Sequence, residues 1–338
     1  MRNRVLVTAA ILLMASVATA CGGGGGGGGG PVGGVVTPPV PPVPPAPPAL
    51  PTPPGPPAGS SASAVVWIGP SAAVTAGSGT TTVRRLNNVA SDISVVYDSQ
   101  GTASTADDRY TVRYGPDGYE RGFGGFTAGG DVYGTYRVAT QTVGGRGEAF
   151  YVLDISNAFA NSLDYVQMVS FERDVSATQV QLAYLTVGLQ TPRASIPTTG
   201  TARFEGETRG LVSTASNNLY GTTSDIQMTA NFASGALSGS TSNFRNHSLT
   251  GNPASSLGND PSFSFTASII SGTANFSGTA TAPFNAPISP GSGGPGLSGT
   301  VQGTFFGPNA DEVGLAYDLN MSTSAAWMQG VAVMGRKP

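Results

Sequence analysis

Between Thr201 and Met334 the chain alternates apolar and polar residues in short runs, and no stretch there carries a convincing helical period. The runs are Thr201–Glu207, Asp225–Phe232, Gly235–Phe244, Ser262–Ile270, Ala274–Thr281, Leu297–Phe306, Val313–Leu319 and Trp327–Met334. Successive side chains of a strand point to opposite faces, so each run offers one apolar face. Eight antiparallel strands of this kind close naturally into a barrel filled by its own side chains. The expected inward set is Phe204, Ile226, Met228, Phe263, Phe265, Val301, Phe305, Leu315, Tyr317 and Trp327. These side chains are large, so ligand capture is expected on loops rather than inside the barrel.

A transmembrane barrel would turn its apolar face outward, with aromatic girdles at both interfaces. Here the aromatics are scattered, and the sequence closes on Gly335-Arg336-Lys337-Pro338 rather than on an aromatic strand. The reading is therefore all-β: a C-terminal eight-stranded antiparallel soluble barrel over 197–338, preceded by a β-rich, handle-like region over 63–196. Candidate strands in that region are Asp92–Tyr97, Arg109–Tyr114, Asp131–Val138, Glu148–Ile155, Tyr165–Phe171 and Val180–Gly188. The stretch 121–136 mixes glycines with Phe123, Phe126, Tyr133 and Tyr136. It reads as two twisted strands around a glycine-rich turn, or as an aromatic binding surface.

The residue inventory excludes whole classes of chemistry. The chain has one cysteine, Cys21, and one histidine, His247. No disulfide can form within it, and no His/Cys zinc cluster can be built. Lysine occurs once, as Lys337, so phosphate-loop and Schiff-base chemistry lack a candidate. The formal net charge is −3 and only 10% of residues are charged, so there is no basic face for nucleic acid. Asp107 and Asp108 are adjacent and in a strand would face opposite ways, which is poor geometry for a paired-acid glycosidase. No cofactor and no metal site is implied, and the chain reads as a non-enzyme.

The N-terminus reads as an address. Residues 1–20 (MRNRVLVTAAILLMASVATA) combine two arginines, an apolar run and small residues, the pattern of a secretory signal peptide. The small residues lead directly into Cys21, an arrangement that resembles the lipobox of bacterial lipoproteins, where the thiol is acylated. The alternative is ordinary cleavage at an Ala-x-Ala site. Residues 22–30 are all glycine, and a Pro-rich stretch follows. Residues 21–62 therefore read as a lipidated cysteine plus a disordered tether, part flexible coil and part polyproline II. Gly22 stands where aspartate would favour inner-membrane retention, so the expected location is the outer membrane, lipid-anchored and surface-exposed.

Three segments together resemble the barrel-containing lobes of transferrin-binding protein B and its relatives, surface lipoproteins of Gram-negative bacteria. They are Ile196–Gly206 (IPTTGTARFEG), Tyr184–Pro192 (YLTVGLQTP) and Gly299–Gly314 (GTVQGTFFGPNADEVG). In the last, Gly307, Pro308, Asn309 and Ala310 suit a type I turn, and Glu312 is placed to accept backbone N–H groups of that turn. This motif reads as a structural barrel corner. The resemblance implies capture of an iron source, such as a transferrin-like protein, haem or a haem protein. Delivery to a TonB-dependent outer-membrane receptor is implied too. Alternatives are an adhesin or envelope structural protein and, more remotely, a carboxylate-based surface glycan hydrolase. The candidate binding loop is the polar segment Asn243–Pro261, with Arg245 and His247 near its start.

Overall fold

A computed structural model describes residues 63–70, 84–85, 93–98, 100–101, 107–131, 134–153, 163–176, 179–214, 219–248, 262–283, 296–322 and 326–337. Among the described residues ten strands precede the barrel: β1 (Ser63–Pro70), β2 (Arg84–Arg85), β3 (Ile93–Asp98), β4 (Arg109–Tyr114), β5 (Tyr119–Phe123), β6 (Thr127–Asp131), β7 (Gly134–Val143), β8 (Arg146–Leu153), β9 (Val166–Asp174) and β10 (Gln179–Gly188). Eight form it: β11 (Thr201–Ser213), β12 (Leu219–Asn231), β13 (Ala236–Ser248), β14 (Ser264–Ile269), β15 (Asn275–Ala282), β16 (Leu297–Phe306), β17 (Glu312–Asn320) and β18 (Trp327–Arg336). Every barrel strand pairs antiparallel with the next, and β18 returns to pair with β11, from Phe204 against Arg336 to Ser213 against Trp327. The all-β reading and the closed barrel are what the chain adopts.

The barrel interior is packed solid. Phe305 stands within aromatic contact of Phe204, Phe232 and Phe276, with ring centroids 5.9, 5.6 and 5.6 Å away. Phe263 lies 4.6 Å from the ring of Tyr317. Glycines make room for these rings. A β-carbon on Gly239 would stand 2.5 Å from the Phe265 ring, and one on Gly330 would stand 2.2 Å from the Tyr317 hydroxyl oxygen. Of the expected inward set, Trp327 is the exception. Met328, Ala332 and Met334 point in, while Trp327 points out and packs with Leu211, Leu219 and Val180. Trp327 and Met328 are both apolar, so alternation alone does not fix which faces the core.

The remaining strands form a seven-stranded sheet, in the order β2-β1-β10-β9-β8-β7-β6, and a three-stranded sheet, β3-β4-β5. The two sheets share a core of Ile93, Val95, Tyr110, Val112, Phe123, Phe150, Val169, Phe171 and Leu185. The aromatic stretch 121–136 is spent largely on this core. Phe123 is buried against Phe150, and Phe126 meets Tyr110 edge-on at 5.5 Å. Tyr136 instead packs edge-on against Tyr151, and Tyr133 lies outside the described residues. Two strands, β1 and β2, escape the sequence reading, and β5 and β6 overlap the stretch 121–136 that it read only as a pair of twisted strands without bounds. Glycines in β6 and the charged run in β5 hide any alternation there.

The opposite side of the seven-stranded sheet covers part of the barrel's outer wall. Val166 and Met168 of β9 pack on Phe306, Ala316, Val331 and Val333. Leu182 and Tyr184 of β10 pack near Leu211, Leu219 and Trp327. The uncovered wall, β12 to β16, is different. Three cross-strand rows run over it in register: Gln227-Ser240-Ser264-Thr281-Ser298, Thr229-Ser238-Thr266-Thr279-Thr300 and Asn231-Ala236-Ser268-Ser277-Gln302. All are exposed and none carries a charge.

Candidate functional site

Glycine and proline shape the corner between β16 and β17. Gly307 and Ala310 take left-handed backbone conformations, with φ of +83° and +57°. The Asp311 N–H donates to the Phe306 carbonyl at 3.0 Å and closes the corner over Pro308 and Asn309. The Asn309 N–H donates to Asp311 Oδ2 at 3.1 Å. This geometry delivers the Glu312 side chain away from its own turn, a correction to the sequence reading. Its carboxylate accepts the backbone N–H groups of Asp164 at 2.6 Å, Tyr165 at 2.9 Å and Val166 at 2.7 Å. These are the residues that lead into β9. No local signal marks this link, because the partners lie far apart in sequence.

Glu312 is therefore a latch between barrel and sheet. It is buried, and burial pushes its carboxyl up to about 7, against the pull of the three backbone donors. Neighbouring bonds brace the same joint. The Gly307 N–H donates to the Leu189 carbonyl at 2.9 Å, the Thr191 N–H to the Phe305 carbonyl at 2.9 Å, and Thr191 Oγ1 to the Gly307 carbonyl at 2.7 Å. A β-carbon on Gly307 would come within 2.7 Å of the Tyr165 ring. The motif's corner thus seats the N-terminal sheet on the barrel.

Arg245 and His247 are not in a loop. They lie in β13, which runs on to Ser248, with Arg245 paired to Thr223 and His247 to Gly221 of β12. The ladder to β12 continues through this polar stretch past a β-bulge at Thr223/Asp225, which shifts its register. At the bulge Asn243 has φ of +51°, and its Nδ2 donates to Asp225 Oδ2 at 2.5 Å. Exposed Arg245 reaches the other Asp225 oxygen at 3.9 Å. Cys21 lies outside the described residues, as do residues 249–261 of the expected loop.

Strand direction gives the barrel two unlike ends. One carries the short connections 232–235, 270–274 and 307–311; the other carries 214–218, 249–263, 283–296 and 321–326. Ser63 pairs with Thr186 near the end of β10, which abuts the 307–311 corner, so the chain enters β1 from the short-turn end. Among the described residues no group of three or more His, Cys, Asp or Glu is placed to hold a metal ion.

A closed, side-chain-filled barrel seated on a β-sheet handle defines a barrel-and-handle lobe. Residues 196–335 match the family model described as the C-lobe and N-lobe β-barrels of transferrin-binding protein B. Over those residues the barrel is similar to the barrels of transferrin-binding protein B. Transferrin-binding protein B of Haemophilus influenzae is 31% identical over 145 residues, covering 40% of this chain and 21% of that protein. Among solved structures, a transferrin-binding protein B variant from Haemophilus parasuis is 16% identical, with 77% of this chain and 47% of that one covered and a TM-score of 0.44. The isotype 1 protein from Neisseria meningitidis is 15% identical, with 81% and 44% covered and a TM-score of 0.38. The chain spans about a fifth of the curated relative and under half of these structures.

Proposed function

We propose that this chain is a non-catalytic surface lipoprotein that captures an iron-carrying protein of transferrin type. The observation that carries the reading is the match of residues 196–335 to transferrin-binding protein B barrels. The packed interior supports a protein partner over a haem-sized one, because Phe204, Phe305, Phe276 and Tyr317 occupy the space a small ligand would need. In this reading residues 1–20 direct export, Cys21 is acylated, and 22–62 space a sheet domain (63–196) and a barrel (197–338) from the outer membrane. The short-turn end, where the chain enters β1, then faces the membrane, and the opposite end meets the partner. Arg245 and His247, near the end of β13 on that side, belong to the proposed contact surface. A TonB-dependent receptor is the proposed acceptor of the cargo.

The test is binding of the purified chain to immobilised transferrin, haem-loaded protein and an unrelated serum protein. Saturable binding to transferrin alone is expected. Equal binding to all three, or to none, overturns the reading. Cys21→Ser should abolish metabolic lipid labelling, and a label that persists removes the anchor from the proposal.

A further inference from the structure

We infer that the N-terminal sheet is a splint for the barrel: its docking holds shut the seam between β11 and β18, so that undocking opens the barrel along that line. The inference is independent of what the protein binds. Every other ladder of the barrel joins strands consecutive in sequence, and this seam alone joins the first strand to the last. Its interior is thin. By alternation β11 turns Phe204, Gly206, Thr208, Gly210 and Val212 inward, and β18 turns Met328, Gly330, Ala332 and Met334 inward. Bulk thus lies at the two ends of the seam, and its middle holds only glycine, alanine and threonine. Larger residues have no room there. A β-carbon on Gly206 would strike the Val333 carbonyl, and one on Gly210 would stand 2.6 Å from the hydroxyl oxygen of Tyr317, which β17 supplies.

The apolar bulk of the seam is on its outside. Leu211 of β11 and Trp327, Val331 and Val333 of β18 point outward and are buried. Glu207 and Arg209, buried on the same side, pair with each other at 2.8 Å. On the uncovered wall the order is reversed, with Phe265 and Phe276 inside and Ser and Thr outside. The sheet lies across the seam. Leu182 and Tyr184 of β10 pack against a cluster that contains both Leu211 and Trp327, one from each side of it. Val166 and Met168 of β9 pack on Val331 and Val333, and Glu312 ties the start of β9 to the neighbouring β17. Apolar burial is the main force that keeps packed strands together, and in the middle of this seam the sheet supplies it. With the sheet undocked, Leu211, Trp327, Val331 and Val333 face water, and β11 and β18 become separable edges.

The experiment is amide hydrogen exchange of the whole chain, followed residue by residue. Met168→Ser on β9 and Leu182→Ser on β10 weaken docking without altering a barrel residue. In each variant the amides that bond across the β11–β18 seam should exchange roughly tenfold faster or more, while those of β14 and β15 keep their native rates. Unchanged seam amides, or equal acceleration in β14 and β15, overturn the proposal. If neither variant folds, the native chain decides. In rising urea the seam amides should exchange together with those of Asp164, Tyr165 and Val166, in one step ahead of β14 and β15. Seam amides that exchange only with β14 and β15 overturn the splint.

Discussion

The barrel presents two outer walls built on one backbone pattern, and they obey different rules. Behind the sheet, the outward positions of β11, β17 and β18 include Leu211, Ala316, Val331 and Val333, all buried, with Glu312 as the latch. In the three rows across β12 to β16 the outward residues are exposed Ser, Thr, Asn and Gln, with Ala236 the one apolar member. Alternation identifies the core face on the exposed wall and is blurred on the covered one, and only the identity of the outward residues records whether something covers them. The first wall is an interface; the second is a solvated surface from which charge is missing rather than balanced.

Four substitutions test that contrast, taken from large effect to small. Val333→Asp places an uncompensated charge in the covered wall and should cost about 3–5 kcal/mol in urea unfolding, or prevent folding. A cost below about 1 kcal/mol would mean that the sheet does not seat on this wall. Glu312→Gln turns an amide N–H₂ toward a backbone N–H and should cost about 1–3 kcal/mol at pH 8. That loss should be accompanied by faster exchange at Asp164 to Val166 and little change at β14 and β15. Gly330→Ala forces a β-carbon against the Tyr317 hydroxyl and the Arg209 carbonyl, 2.2 and 2.4 Å away. It should cost about 1–3 kcal/mol through overpacking, visible as a lower thermal midpoint. Thr279→Lys, on the uncovered wall, should stay within about 0.5 kcal/mol of the parent. A large loss there would reveal a second covered surface.

The sequence already shows the barrel because its interior strands alternate strongly. Phe263 and Phe265 against Ser264 and Thr266 leave no doubt about phase. Where both faces are buried, alternation fails. β17 and β18 are buried on both sides, and that is where Trp327 is turned the wrong way. Where a strand is polar, composition misleads: Arg245 and His247 look like loop residues but continue β13 past a bulge. Glu312 is legible as a member of the corner motif, while its partners are not. The bonds to Asp164, Tyr165 and Val166 exist only once the two parts of the chain have met. A site made of such long-range contacts leaves no spacing to read.

Closure of the barrel by β18 against β11 has a kinetic consequence. Phe204 finds Arg336 only after every intervening strand has been made, so a growing chain lacks its final pairing until β18 emerges. Until then β11 and β17 each present an open edge able to recruit another strand. Pairings of such long range fold slowly. A chain of this topology therefore carries unpaired strand edges until it closes. It would also be vulnerable to aggregation if translation stopped before Trp327.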